Sequence, residues 1–480
     1  MTIAQRMRSM SGRTRTWMRN ASVVALMATG GGQATLADTL ADALVGAYSH
    51  TGLLDQNRAL LRAADEDVAI AGSVLRPIIN WSADLTRTFG NVRSAAGGSN
   101  VDAGSTDASI GLTATLQLFD GGADSARVEA NKETVLATRA NLLSLEQVVL
   151  LRAATAFFNV GRQEEFVGLR QNNLRLLQQE LRAAQDRFEV GEVTRTDVAL
   201  AEAAVADARS SLADSQRDLV QAQAEYANAV GKQPGRLSGL PRLPKTSTDI
   251  KSAQATAVRN HPDMEQARRQ VVANELLVTA AAATRYPTVS LTGRVGLTEE
   301  FGTSASSTVG SVGVDVSGPI YQGGLISANE RRAVAVRDAS RGNLHTVRHD
   351  VQQDVVNAVS NFVAASASLV SSENQVRAAR VAFQGVREEA TLGARTTLDV
   401  LDSEQDLLDA ETNRISAQAD QYIAAYQVLA STGMLTAQRL KLPVQIYDPA
   451  AYYNLVKDSP TNQSKQGQQL EKVLRALQVD

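Results

Sequence analysis

The feature that most constrains this chain is a long internal repeat. The segment LFDGG, which ends at Gly122, recurs as IYQGG ending at Gly324, and FEVGEVTRTDV around Gly191 recurs as ATLGARTTLDV around Gly393. Both recurrences lie 202 residues apart. A period of this length indicates a duplicated unit, unlike the roughly 20–50-residue period of a solenoid. We therefore predict two tandem copies of one unit, over residues 38–245 and 246–455.

The first 37 residues have the composition of an export signal. Five arginines precede an apolar segment at 21–28, and the small residues Thr35 and Ala37 suit the two positions that signal peptidase reads. We expect residues 1–37 to be a signal peptide and the mature chain to begin near Asp38. A disordered basic leader on a cytosolic protein is the alternative. Because no other segment approaches 18 consecutive apolar residues, we expect no transmembrane helix.

Composition and motifs disfavour several functional classes. The balance of 48 Lys and Arg against 51 Asp and Glu provides no basic surface for nucleic acid. The absence of cysteine excludes disulfides, thiolate metal sites and a lipid-modified cysteine. His345 and His349 are spaced like half of a helical zinc pair, but Val347 and Arg348 fill the middle, so we interpret both as surface histidines. We expect no enzyme, no metal and no cofactor.

Four segments of about ten residues alternate between apolar and polar side chains, which predicts β-strands with one wet face. They cover residues 79–89, 109–119, 289–297 and 311–317, and Gly/Ser-rich loops at 93–106 and 299–308 join them in pairs. Their length suits tilted membrane strands. Four strands alone would leave two open edges, so a small soluble sheet is the alternative unless several chains close one barrel.

The remaining segments have helical periodicity. No proline interrupts residues 123–190 or 325–392, each long enough to span roughly 100 Å. After each long helix the chain is predicted to return in two helical pieces. In the first copy these are 192–230 and a further helix that ends near Thr284. In the second copy they are 396–431 and the N-terminal helix at 40–75. Apolar residues seven apart indicate coiled-coil packing, with ordinary amphipathic helices as the alternative: Val198, Val205, Leu212, Leu219 and Tyr226, then Leu401, Leu408, Ile415, Tyr422 and Leu429.

Over about residues 40–455 the chain resembles the TolC family of outer-membrane efflux and secretion channels. The resemblance rests on the duplication, the Gly-Gly after the second strand of each copy, PIYQGG at 319–324, RFEVGEVTRTDV at 187–198 and GARTTLDVLD at 393–402. It implies a mainly α protein with a transmembrane β-barrel part. In a homotrimer, four strands per protomer would close a twelve-stranded barrel, and long antiparallel helices would continue it as an α-helical tunnel through the periplasm.

The resemblance also implies a gate where the long helices turn back. Gly191 and Gly393 would lie at the periplasmic tip, where an adaptor docks. Asp399 and Asp402 match carboxylates that point into the lumen, where rings of like charge attract cations. Arg395 matches an arginine that holds the gate shut through a link to the first copy. The acceptor side of that link is matched by Thr196 and Asp197.

The tip aspartates have an alternative role, and one expected aromatic residue is absent from the second copy. Helix N-capping is an alternative role for Asp197, Asp399 and Asp402, and both roles can coexist. Ala390 stands where family members usually carry an aromatic that adds a second link, whereas the first copy has Phe188. The closed gate would then be held less tightly.

The function that the resemblance implies is a passive exit duct in the outer membrane. It would require a periplasmic adaptor and an inner-membrane pump of the ABC, RND or a similar class, and these partners would select the substrate. A non-channel periplasmic coiled-coil scaffold is the alternative. The tail at 456–480, rich in Gln, Ser and Lys, is predicted to be disordered or loosely attached.

Overall fold

The computed structural model describes residues 38–93, 100–102, 104–302, 304–458, 460–461 and 463–477. The predicted signal peptide lies outside these residues. The first half contains α1 (Leu40–His50), α2 (Gly52–Ser73), β1 (Ile78–Thr88), β2 (Asn91–Arg93), β3 (Asn100–Asp102), β4 (Ser105–Phe119), α3 (Ala123–Glu189) and α4 (Arg195–Val230). The second half contains α5 (Ile250–Asn260), α6 (Pro262–Ala283), β5 (Thr288–Glu300), β6 (Ser306–Ser317), α7 (Leu325–Thr391), α8 (Thr397–Ser431), α9 (Pro449–Val456) and α10 (Lys465–Leu477).

The four long strands form one antiparallel sheet in the order β1-β4-β5-β6. Its register places Trp81 opposite Leu112, Leu112 opposite Val295, and Gly293 opposite Val312. Because side chains alternate along a strand, this register puts the predicted apolar positions of all four strands on one face. That face is open in the protomer, where Trp81 is 73% and Val312 81% exposed. Among the described residues, β1 and β6 each pair on one side only.

Two hairpins of very long helices extend from this sheet. Helices α3 and α7 have 67 residues each, and the helices that return from them, α4 and α8, have 36 and 35. Each long helix packs against its own return helix. All ten residues of the predicted seven-residue spacing are buried or half-buried. This burial is what the coiled-coil prediction requires.

The second part of each return path differs from the prediction. The helix predicted to end near Thr284 is two helices, α5 and α6, with an extended residue, His261, between them. Pro262 has no N–H to continue the helical hydrogen bonds and restricts the residue before it to extended conformations, so it starts a new helix. The predicted N-terminal helix at 40–75 is likewise divided at Thr51, which is extended.

The loops and the tail also contain more regular structure than predicted. The short strand β3 lies within the loop predicted at 93–106 and pairs with β2, which ends where that loop begins. The structure places α10 inside the tail at 456–480. The preceding helix α9 is attached to the N-terminal half by a hydrogen bond from the Tyr452 hydroxyl to Glu66 Oε1, 2.7 Å long. Part of the segment 456–480, for which disorder or loose attachment was predicted, is therefore helical.

Helices α3 and α7 each include an 18-residue window whose composition alone would allow a membrane span. These windows were not predicted from the sequence, because the prediction required 18 consecutive apolar residues. In α3, 56% of the window is buried inside the protomer, against 28% in α7. Since both helices lie in antiparallel hairpins, helix packing accounts for the buried part. The window in α7 leaves more apolar surface for contact with another chain.

The main core joins the two halves near the middle of α3. Phe158 lies 5.0 Å from Tyr422 and 5.9 Å from Tyr426 of α8, measured between ring centroids. Tyr226 of α4 is fully buried in the same cluster. The segment after α8 closes this region, where the Ala437 amide donates a 2.6 Å hydrogen bond to Glu146 Oε1. Away from this core, the hairpins continue towards their tips as paired helices.

Candidate functional site

The tips of the two hairpins share one backbone conformation. After α3 the chain reverses at Gly191, and after α7 it reverses at Gly393, each with φ of +79°. Glycine suits this left-handed region because other residues have a Cβ that clashes there. The amide of Glu192 donates to the Arg187 carbonyl at 2.9 Å, and the corresponding amide of Ala394 donates to the Glu389 carbonyl at 2.9 Å. These bonds close the end of each long helix.

Each return helix begins with a capping box. In α4, Asp197 Oδ2 accepts from the Thr194 amide at 2.9 Å and from its hydroxyl at 2.7 Å. In α8, Asp399 Oδ2 accepts from the amide and the hydroxyl of Thr396, both at 2.9 Å. The N-capping alternative is therefore observed for Asp197 and Asp399. Thr196, the other predicted acceptor, lies between Thr194 and Asp197 in the first turn of α4.

The capping bonds also determine the charge of these carboxyls. Hydrogen bonds from the Thr194 hydroxyl and amide lower the pKa of Asp197, and hydrogen bonds from the Thr396 amide and hydroxyl lower the pKa of Asp399. A carboxyl with a lowered pKa remains ionised at neutral pH and below it. Asp402 lies three residues after Asp399 on α8 and is exposed. The two carboxylates are neighbours along one side of the helix.

We expect Thr396→Ala to loosen the start of α8. The substitution removes the Thr396 hydroxyl. This hydroxyl accepts a 3.2 Å hydrogen bond from the Asp399 amide and donates a hydrogen bond to Asp399 Oδ2. Loss of such a cap corresponds to roughly fivefold more frequent opening of the first turn. Hydrogen exchange of the amides at 397–400 measures this change. Thr396→Ser keeps the hydroxyl and should exchange like the wild type, and equal exchange in all three proteins would contradict the capping role.

Arg395 does not reach the first copy within the protomer. Its Nε donates to Glu389 Oε2 at 2.8 Å, and both side chains are about half exposed. Among the described residues, no hydrogen bond or ion pair joins Arg395 to Thr196 or Asp197. The structure thus places Arg395 in contact with the end of α7, which belongs to the same second-copy hairpin. A link to the first copy would have to be made with another protomer.

The turns themselves expose apolar side chains at matching positions. Val190 is 70% exposed and Leu392 is 84% exposed, each directly before the turn glycine. The position three residues before each glycine differs, because Phe188 is half exposed and the second copy has Ala390. Exposed apolar residues at the end of a rod are typical of a contact surface. The two turns therefore form a candidate docking surface.

A contact between the two copies just above the tips was not predicted from the sequence. Glu404 of α8 is 3% exposed, and its Oε1 accepts a 2.7 Å hydrogen bond from Asn173 Nδ2 of α3. Leu177, Val205 and Leu401 belong to an apolar cluster at the same contact. The heptad spacing contains a signal for this burial. Position 404 falls between Leu401 and Leu408 at helical i+3 and i−4 spacing, so it shares their buried side.

The sequence matches the family described as outer membrane efflux protein over residues 47–232 and 254–434. The chain is 35% identical to outer membrane efflux protein BepC of Brucella suis biovar 1 (strain 1330), covering 89% of this chain and 92% of that protein. It is 25% identical to outer membrane protein TolC of Escherichia coli (strain K12), covering 79% of this chain and 80% of that protein.

The fold is shared with solved outer-membrane channels. The structure of the Campylobacter jejuni CmeC outer membrane channel superposes with a TM-score of 0.75, over 88% of this chain and 89% of that one, at 16% identity. The outer-membrane channel OprN superposes with a TM-score of 0.71, over 82% of this chain and 89% of that one, at 24% identity. At these identities the superpositions establish the fold alone.

Proposed function

Because this chain belongs to the outer membrane efflux protein family, we propose that it is the exit duct of an efflux or type I secretion assembly, with a gate at its hairpin tips. The family membership confirms the predicted resemblance. The protein lies in the outer membrane and its helical part extends into the periplasm. The observation that carries the duct function is the sheet with two unpaired edges and an open apolar face, continued by hairpins roughly 100 Å long.

A homotrimer would remove both open edges. The outer edge of β6 in one protomer can pair with the outer edge of β1 in the next, so three sheets close into one barrel of twelve strands. Closure satisfies the backbone groups that lipid cannot. The exposed apolar face, with Trp81 and Val312, would then contact lipid. The opposite face, where the Ser109 hydroxyl donates to Asp84 Oδ1 at 2.7 Å, would line a watery interior.

We expect Leu112→Arg to prevent stable assembly in the membrane. Leu112 is exposed on the apolar face of β4, between Trp81 and Val295. An arginine on the lipid side of a barrel costs about 2–4 kcal/mol near the bilayer centre, and three copies carry it. The yield of heat-modifiable oligomer in outer-membrane fractions measures the effect.

The control is Thr113→Arg, at the neighbouring position on the polar face of the same strand. That arginine would point into the interior, so the oligomer should still assemble. If both variants assemble equally, or if Thr113→Arg is the more damaging, the assignment of the apolar face to lipid is wrong. Comparison of the two variants thus separates the effect of placing an arginine on the apolar face from the effect of adding a charge to β4.

We propose that the tips close the duct when no partner is bound. In a trimer, Asp399 and Asp402 would form two rings of three carboxylates around a narrow opening, while Arg395 would hold the tips through Glu389 or through a neighbouring protomer. The exposed Val190 and Leu392 support docking of a periplasmic adaptor at the turns of Gly191 and Gly393. The adaptor would compete for the contacts of Arg395 and widen the opening.

The duct has no catalytic role in this proposal. Transport would be driven by an inner-membrane pump, and the pump and adaptor would select the substrate. A periplasmic scaffold of coiled-coil rods remains the rival function. It would require a soluble protein, so recovery from the periplasmic fraction without detergent would favour the scaffold. Recovery as a detergent-extracted oligomer that conducts ions across planar bilayers would favour the duct.

A further inference from the structure

Glu404 has an environment that an ordinary surface carboxylate lacks. It is 3% exposed and lies where α8 of the second copy contacts α3 and α4 of the first. Asn173 donates to Oε1, but Oε2 is buried and has no hydrogen-bond partner among the described residues. A buried ionised oxygen without a partner destabilises the packing around it. The contact is therefore sensitive to whether this carboxyl carries a proton.

Among the described residues, no salt bridge joins Glu404 to a cation, although Arg170 lies nearby. From α3, Arg170 and Asn173 line a cavity of about 60 Å³ beside Glu404, and Asp207 of α4 and Gln405 of α8 complete its polar part. The nearby Arg387 of α7 is paired with Glu180 of α3, with 3.4 Å between Nε and Oε1. The carboxylate of Glu180 opposes a further negative charge here.

The pKa of Glu404 agrees with this geometry. Burial is the largest cause and raises this pKa to about 7. The nearby Glu180 also raises the pKa, whereas the hydrogen bond from Asn173 and the charge of Arg387 lower it. A carboxyl that titrates near neutral pH changes its charge within the range a periplasmic protein meets.

We propose that Glu404 is a proton-dependent latch that holds the second-copy hairpin against the first-copy hairpin just above the tips. It is a positioning residue, because it acts on the gate through the packing of α8. The inference rests on the proposed gate. Its position supports this role, since Glu404 lies only two residues after Asp402 on the same rigid helix. A shift of α8 at the latch therefore moves the candidate gate carboxylates.

The direction of the pH effect follows from linkage. When the hairpins separate, Glu404 meets water and regains the ordinary glutamate pKa of 4.5, whereas in the packed contact the pKa is about 7. The packed contact thus retains the proton more tightly. Its protonation-linked stability is fully present below pH 4.5 and is lost as the pH rises through 7. Acid closes the latch, and alkaline conditions loosen it.

Hydrogen exchange tests the latch without requiring conduction. We expect wild-type amides in the segments 170–181 and 400–410, corrected for intrinsic exchange, to be protected roughly thirtyfold more at pH 5.5 than at pH 8.5. Glu404→Gln should stay protected at both pH values, because its amide oxygen still accepts from Asn173 and no charge develops. Asp406→Asn removes an exposed carboxylate two residues away and should keep the wild-type pH dependence.

The outcomes separate the latch from the proposed duct. The latch is overturned if hydrogen exchange of Glu404→Gln retains the wild-type pH dependence. It is also overturned if exchange of the wild type shows no pH dependence, and this second test does not require any variant to fold. Bilayer conductance of the same proteins tests the duct. If exchange behaves as expected and no protein conducts, the latch stands and the proposed function fails. If all conduct and the open fraction at pH 8.5 is the same with and without Glu404→Gln, the latch does not act on the gate.

Discussion

Replacing Asp399 and Asp402 together with asparagine is expected to abolish the preference of the channel for cations. In a trimer the double variant removes six carboxylates from one narrow opening. Asp399 is held ionised because its carboxylate accepts two hydrogen bonds from Thr396. Asp402 is exposed beside it. Rings of ionised carboxylates raise the local concentration of cations and repel anions, so the permeability ratio should fall towards that of free diffusion.

Asparagine is the right replacement because its amide oxygen can still accept from the Thr396 amide, so the cap of α8 should remain. The reversal potential in a potassium chloride gradient across a planar bilayer measures the permeability ratio. Asp406→Asn with Asp409→Asn is the matched control, since it removes two exposed carboxylates further along α8. The control should remain cation-selective. Equal loss in both double variants would show that the selectivity comes from the overall charge of the helix, away from the tip.

Replacing Arg395 with serine is expected to leave the tips partly open and raise the conductance of the channel several-fold. Arg395 is the cation of the second-copy turn, and its bond to Glu389 fixes this turn against the last turns of α7. A charge-assisted bond of arginine to a carboxylate is directional, and solvent weakens this one because both side chains are about half exposed. Its loss frees the turn that carries Gly393 and, with it, the start of α8. Unchanged conductance would contradict a gating role for Arg395.

Two further variants identify the partner through which Arg395 acts. Glu389→Gln removes the charge that Arg395 contacts within its own protomer, and Asp197→Asn removes the charge of the predicted acceptor on the first copy. If Glu389→Gln reproduces the conductance of Arg395→Ser, the arginine closes the gate within one hairpin. If Asp197→Asn reproduces it, the closing link runs to the first copy. Arg395→Lys keeps the charge but loses the planar guanidinium and should give an intermediate conductance.

The long helices were predictable because their causes are local. The absence of proline over 123–189 and 325–391, with a turn glycine after each, sets both lengths to within one or two residues. The breaks at Thr51 and Pro262 were missed because the helical pattern continues on both sides of them. Proline at the first position of a helix is tolerated, so its presence alone does not distinguish a break from a kink.

The candidate site was predictable in part for a similar reason. The capping boxes can be read from the sequences TRTD and TTLD, because threonine and aspartate three residues apart are a local signature. The burial of Glu404 has a periodic signal between two seam leucines. The partner of Arg395 has no such signal. Glu389 and Asp197 are both acidic and near a turn, and only the spatial arrangement of the hairpins selects between them.

The central claim is that three protomers close one barrel around a single passage. Electron microscopy of the purified protein in lipid nanodiscs tests this directly. We expect particles with threefold symmetry and one continuous central passage, which narrows at the end of the helical part that carries Gly191 and Gly393. Particles of one protomer, or threefold particles whose centre is filled by protein along the helical part, would contradict the account.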